Sequence, residues 1–366
     1  PSRLVESNVD ALYRNVARGP IVGVFLALAA VAAFLGMHIA GRGSGRARAM
    51  LRWLGPSVMA FPAIELLSGV TPLHQLGAAA GTVVVTAASV AVGVLAALLA
   101  RVHPRAPIVA LGVLMYAVVA IDVLAGAPMQ LDRVFGFSSV VAGRFVGLGN
   151  QAFAMMVAAA IVIATLGFRS VVAAVALFTF TVVIIGHPGL GSDVGGVLAS
   201  IPAFAVIIVL MRGKKIKPLP IIGAGVAAAM ALAVFAYIDL QRPPGERTHL
   251  ARFVSSDRAE IITTVGRKAF AAVKSVARIE WSALLLAMLV VTALLRYRGN
   301  RPVLSARGAQ TCLAGAITVG LLGWALNGSG VVVTAIVMVF VVPALLLLDV
   351  DTVRPSSGEE VLAPPS

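Results

Sequence analysis

Charge is scarce in this sequence. Only 12% of its 366 residues are Asp, Glu, Lys or Arg, and acidic residues number 15 against 29 basic ones. A soluble domain carries about 25% charge, which it needs to cover its surface. A water-soluble fold is therefore excluded. Cysteine is nearly absent as well. Cys312 stands alone inside an apolar run, so no intrachain disulfide can form, and the residue reads as a small buried hydrophobe. No pair of His, Cys or carboxylate residues has the spacing of zinc ligands, and no Walker loop occurs, so neither a metal nor a cofactor is expected. No internal repeat of the kind that marks many secondary transporters is visible.

What is present is apolar. Hydrophobic residues make up 60% of the chain, and its mean hydropathy is +0.99. Runs of roughly 20 apolar residues recur, the length that crosses a hydrocarbon slab of about 30 Å. Eleven candidate spans follow: Ile21–Ala40, Trp53–Val70, Gly77–Ala100, Pro107–Ala125, Gly149–Phe168, Val171–Gly186, Val194–Met211, Leu219–Ile238, Trp281–Leu295, Gln310–Leu326 and Val331–Leu348. The fold class is all-α, a polytopic transmembrane helix bundle. The second span carries Pro56, Pro62 and Glu65 and is expected inside the bundle, where neighbours satisfy the carbonyls that proline frees.

The net charge of +14 is topological rather than a sign of a nucleic-acid partner. Cations gather in the short odd-numbered loops: Arg42, Arg46, Arg48 and Arg52; Arg101 and Arg105; Arg169; Arg212 through Lys217; and Arg296, Arg298, Arg301 and Arg307. The positive-inside rule makes that face cytoplasmic, with the N-terminus outside and the C-terminus inside a bacterial plasma membrane. Residues 1–20 are read as an extracytoplasmic juxtamembrane segment, 21–348 as the bundle, and 349–366 as a disordered cytoplasmic tail. The chain opens at Pro1 with neither a methionine nor a signal-peptide pattern, so an extracytoplasmic region is expected ahead of it. The outer loop 239–280 carries apolar residues at three-to-four spacing from Ile262 to Val276, with cations mostly elsewhere. That pattern predicts amphipathic helices lying in the outer interface.

Four polar, glycine-rich clusters interrupt the apolar pattern, all on the outer face of this topology. The first, Gly143–Asn150, opens the fifth span. Its glycines expose N–H groups beside a helix start, Arg144 offers a forked donor to phosphate or carboxylate, and Asn150 at a span start needs a partner. The second, Gly186–Gly196, holds His187, Ser192 and Asp193; Asp193 can cap the seventh span, and so many glycines suit close backbone approach to a ligand. The third, Asp239–Phe253, carries Arg242, Arg247 and Arg252 with His249 on a proline-stiffened segment, a set matched to pyrophosphate or to anionic headgroups. The fourth, Asn327–Gly330, is a short hairpin. Within the spans, Glu65 and Asp122 are the ionisable residues that need explaining, by function or by pairing with an arginine.

The residues Arg144–Asn150, Gly191–Gly196 and Arg242–Phe253 together resemble a family of uncharacterised actinobacterial membrane proteins. In that family a multi-span region follows an extracytoplasmic domain related to alkaline phosphatases. The resemblance implies topology and context but no activity. Arg144 and Asn150 ahead of an apolar span, with a later arginine-rich outer loop, are also similar to the pattern of O-antigen ligases and polymerases, which move glycans off polyprenyl pyrophosphate.

Three readings follow. The first is a membrane module in cell-envelope biogenesis that binds a lipid-linked phosphate or glycan on the outer face. It would work with membrane lipids and with its own N-terminal ectodomain; Arg144, Arg242, Arg247, Arg252 and His249 would hold the anion, and Asp193, Asn150, His187 and Ser192 would orient it. The second is a polyprenyl-pyrophosphate-dependent glycan ligase, with Asp193, Asp239 or His249 as general base. The third is a transporter or flippase with Glu65 and Asp122 in a polar pathway. A simple anchor needs far fewer spans.

Overall fold

The computed structural model describes residues 2–42, 45–138, 147–297 and 308–352. They form thirteen α-helices and no strand. In chain order these are α1 Ser2–Arg42, α2 Gly45–Leu67, α3 Gly77–Leu98, α4 Ala106–Leu124, α5 Asn150–Val162, α6 Val171–Gly186, α7 Val194–Met211, α8 Pro218–Leu240, α9 His249–Ser255, α10 Arg258–Lys274, α11 Ile279–Tyr297, α12 Ala309–Leu326 and α13 Val331–Thr352. Ten of the described helices are long and apolar enough to cross a membrane. The protein is an all-α polytopic bundle.

Two helices differ from the apolar runs that predict them. Helix α1 starts at Ser2, well before Ile21, because nothing in residues 2–20 breaks a helix before Pro20, which the helix absorbs. Helix α6 has 16 residues and falls short of a full span by length. At 1.5 Å per residue it covers about 24 Å. It nevertheless carries the chain from one end of the bundle to the other. The wide turn Ile163–Gly167 that closes α5 lies beside Arg105, whose guanidinium donates to the Leu166 carbonyl at 3.3 Å. At the opposite end, the Leu148 N–H just before α5 donates to the Gly191 carbonyl just after α6, at 3.0 Å.

The other connections sort in the same way. Gly308, at the start of α12, sits against the Thr165 carbonyl and so joins the Arg105 end. The connections α2–α3, α4–α5, α6–α7, α8–α9 and α12–α13 share the end marked by Leu148 and Gly191, as the hydrogen bonds described below require. The alternation expected from loop charge is thus realised in the packing.

Two helices form the centre. Every residue of α13 from Val331 to Leu348 is buried, as is 83% of the most apolar window of α5. A helix that is apolar all round has no face to give to water, and it is enclosed here by α2, α5, α11 and α12. By contrast α3 and α8 are peripheral, with 28% and 22% buried, and present Val83, Leu95, Ile222 and Met230 outward as lipid would require. Helix α2 sits inside the bundle as its prolines predict: Gly55 to Ala63 is continuously buried. Its close neighbour is α3. A Cβ placed on Gly93 would stand 2.5 Å from the Ser57 backbone, so glycine alone permits this approach. Helices α9 and α10 lie in the connection 239–280. Ile262, Val265, Phe270 and Val273 of α10 are exposed.

The Gly93 contact generates a test. Gly93→Leu forces α2 and α3 apart and should cost about 1–3 kcal/mol, the usual penalty of overpacking. Gly225→Leu, on α8 with no atom within 4 Å of the added Cβ, should be neutral. Melting in detergent followed by circular dichroism compares the two.

Candidate functional site

Much of the described part of the connection between α4 and α5, residues 125–138, is buried. Ala127, Gln130, Asp132, Arg133, Val134 and Phe135 are all buried. Residues 130–137 fold back so that the Phe137 N–H donates to the Gln130 carbonyl at 3.0 Å and the Asp132 N–H to the Phe137 carbonyl at 2.9 Å. Gly136 permits this fold, since a Cβ there would collide with the Gln130 carbonyl. Irregular backbone at this depth needs protein partners for its N–H groups.

Glu65 and Asp122 supply those partners. The Glu65 carboxylate, on α2, accepts from the N–H groups of Val134 at 2.8 Å and Phe135 at 3.2 Å. The Asp122 carboxylate, in the last turn of α4, accepts from the Met129 N–H at 2.5 Å and from the Gln130 side-chain amide at 2.8 Å. Gln130 then accepts from the Gly149 N–H at 2.8 Å, tying the buried loop to the entry of α5. Both intramembrane carboxylates therefore hold backbone.

Gln130 leads into the first cluster. Leu148 is bonded to Gly191 of the second cluster, and Asn150 donates from its side-chain amide to the Ser329 hydroxyl of the fourth at 2.8 Å. Arg144 lies outside the described residues. In the second cluster the Asp193 carboxylate accepts from the Gly196 N–H at 3.0 Å and caps α7. Gly195 lies against the Leu326 carbonyl, where a Cβ would come within 2.7 Å, so the second cluster meets the end of α12, the residue before the fourth. The His187 Nδ1 accepts from the Gly189 N–H at 3.1 Å, and the ring stands edge-on to Phe235. Ser192 adopts φ +49°, a left-handed turn conformation uncommon outside glycine. Asn327 is buried, and its amide nitrogen has no partner among the described residues.

The third cluster joins through Arg242, which donates to the Pro188 carbonyl at 3.2 Å. Asp239 organises the rest. Fully buried, its carboxylate accepts from the Thr248 N–H at 3.1 Å, the Thr248 hydroxyl at 2.6 Å and the Ala251 N–H at 2.9 Å, and Arg242 lies 3.7 Å away. It anchors the first turn of α9. Arg247 donates to the carbonyls of Arg242 and Leu240, and Arg252 to that of Arg247. The three arginines knit the loop; Arg252 is exposed and Arg242 and Arg247 are half-buried. His249 is exposed on α9.

All four clusters thus converge at one end of the bundle through their described residues. A further group that sequence reasoning passed over adjoins them. Arg133 in the buried loop lies 3.6 Å from Asp10 on α1, and the Arg14 guanidinium donates to the Arg133 carbonyl at 2.8 Å. Asp10 also contacts His74 at 3.2 Å. The signal available for this group was the charged pair Asp132-Arg133 in an otherwise apolar connection. A small cavity in the bundle centre is lined by apolar side chains, among them Phe25, Val58, Met115, Met155 and Phe340.

No protein-family model, curated protein or solved structure matches this chain.

Two variants probe the carboxylate anchors. Glu65→Ala leaves two buried N–H groups without an acceptor, each costing about 1–3 kcal/mol, whereas Glu65→Gln keeps one acceptor oxygen and should lose roughly half as much. Detergent melting curves give the ranking. Asp239→Ala should release α9, read as faster limited proteolysis within residues 241–256 with the remaining helices intact.

Proposed function

We propose that this protein is a multi-pass module of the bacterial plasma membrane that binds a lipid-linked phosphate or glycan at its outer face, in cell-envelope biogenesis. One observation carries the reading: four polar clusters, far apart in sequence, are tied together by hydrogen bonds at the end of the bundle opposite the short cationic loops. Glycine-rich, non-helical backbone is costly inside a membrane and is tolerated where it is buried in protein or lines a polar cavity. Arg242, Arg247 and Arg252 stand beside it on a loop fastened to Asp239 and Pro188. Guanidinium groups held in this way match phosphate with little entropy left to lose. The resemblance to the actinobacterial family is in keeping with a module that serves an extracytoplasmic domain.

The alternatives fit less well. A glycan ligase needs a base with an open lone pair near substrate; of the three candidates, the Asp239 oxygens are engaged by Thr248 and Ala251 and Asp193 caps α7, which leaves only His249, exposed on α9, for that role. A transporter needs acids facing a path, and Glu65 and Asp122 face loop backbone.

Binding of polyprenyl phosphate to the protein in nanodiscs, followed by native mass spectrometry, tests the proposal. Arg252→Ala and Arg247→Lys together should weaken binding by about tenfold or more, the worth of one or two charge-assisted hydrogen bonds. Unchanged affinity in a folded double variant would refute the assignment. With Cys312 replaced by Ala, cysteines introduced across 242–252 should label from outside the cell. Labelling from the cytoplasm would overturn the outer-face reading.

A further inference from the structure

Asp10, His74 and Arg133 come from three separate segments: α1, the turn between α2 and α3, and the buried α4–α5 loop. One oxygen of the Asp10 carboxylate meets both His74 Nδ1 at 3.2 Å and Arg133 Nη2 at 3.6 Å. The same Arg133 nitrogen donates to the Gly69 carbonyl at 3.3 Å, so the guanidinium is fixed from two sides, and only 4% of its side chain is exposed. Gly69 makes room for this arrangement, because a Cβ there would strike the Met129 backbone.

His74 sits on a stiff support. Pro72 precedes the turn Leu73–Leu76, the Thr71 hydroxyl donates back to Ser68, and Gly77 closes the turn at φ +77°. An ionised carboxylate only accepts, so the ring nitrogen facing Asp10 carries the hydrogen. The neutral ring then presents Nε2 as a bare acceptor. That atom makes no hydrogen bond among the described residues, and a quarter of the side chain is exposed. A histidine oriented by a carboxylate, itself held by a third group, is fixed in the tautomer whose other ring nitrogen accepts a hydrogen bond.

We propose that His74 is the hydrogen-bond acceptor for a hydroxyl-bearing headgroup at this end of the bundle, with Asp10 and Arg133 as positioning residues. The hydroxyl donates a hydrogen bond to Nε2 and keeps its proton, while Nδ1 stays hydrogen-bonded to the Asp10 carboxylate. This inference rests on the reading that a lipid-linked ligand binds here. It narrows that ligand to one with a sugar or polyol hydroxyl, because a fully ionised phosphate offers Nε2 nothing to accept.

Acylation of His74 by diethyl pyrocarbonate, followed by mass spectrometry, tests it on the full chain in lauryldimethylamine oxide, a detergent without hydroxyls. Diglucosyl diacylglycerol should slow acylation of His74 several-fold, and an isoprenyl phosphate without sugar should not. Asp10→Asn should abolish most of that protection while acylation of His38 and His103, remote from the site, is unchanged. Protection by both lipids, by neither, or undiminished in Asp10→Asn would overturn the proposal. Phosphate binding at the arginine loop is measured separately with Arg252→Ala, so the failure of one reading leaves the other distinguishable.

Discussion

The structure depends on one constraint: backbone that leaves the helical path inside a membrane must find its hydrogen-bond partners in the protein. Residues 127–137, between α4 and α5, enter the bundle as irregular chain. Glu65 from α2 and Asp122 from α4 meet its N–H groups, and Gln130 passes the connection on to Gly149. A buried carboxylate is expensive unless donors surround it, and a buried amide is expensive unless an acceptor meets it. Each cost here offsets the other. The loop and the two acids form one unit that also positions Arg133 and the entry of α5.

That unit explains why the polar clusters share an end. With Gly149 fastened from below, Leu148 reaches Gly191 and Asn150 reaches Ser329. Asp193 and Asp239 then do for α7 and α9 what Glu65 and Asp122 do for the loop, supplying acceptors where helical N–H groups begin. The same residue type therefore recurs at the junctions between segments. The arginines, by contrast, satisfy carbonyls.

The helices were legible in the sequence because hydrophobic runs of span length have a single stable use in a bilayer. Each of the eleven runs coincides with a helix. Alternation of loop charge, a purely local property, also anticipated which connections share an end. The site was less legible. Asp193 was recognisable as a cap from its position before an apolar run. The roles of Glu65 and Asp239 were not, since Glu65 serves residues some seventy positions downstream and Asp239 serves a short helix that no periodicity reveals. The meeting of Asp10, His74 and Arg133 was invisible, because it is created by packing between three segments and no motif within any one of them records it.

The order in which the chain is made gives the position of α13 a further meaning. This helix occupies the middle of the bundle, yet it follows every other described helix in the sequence. During insertion α2, α5, α11 and α12 must wait with their inner faces covered by something else, whether lipid, one another or the insertion machinery. The core closes only when Val331–Leu348 arrives, so the mature packing of these helices waits for the last of them rather than growing by a gradual accretion of hairpins.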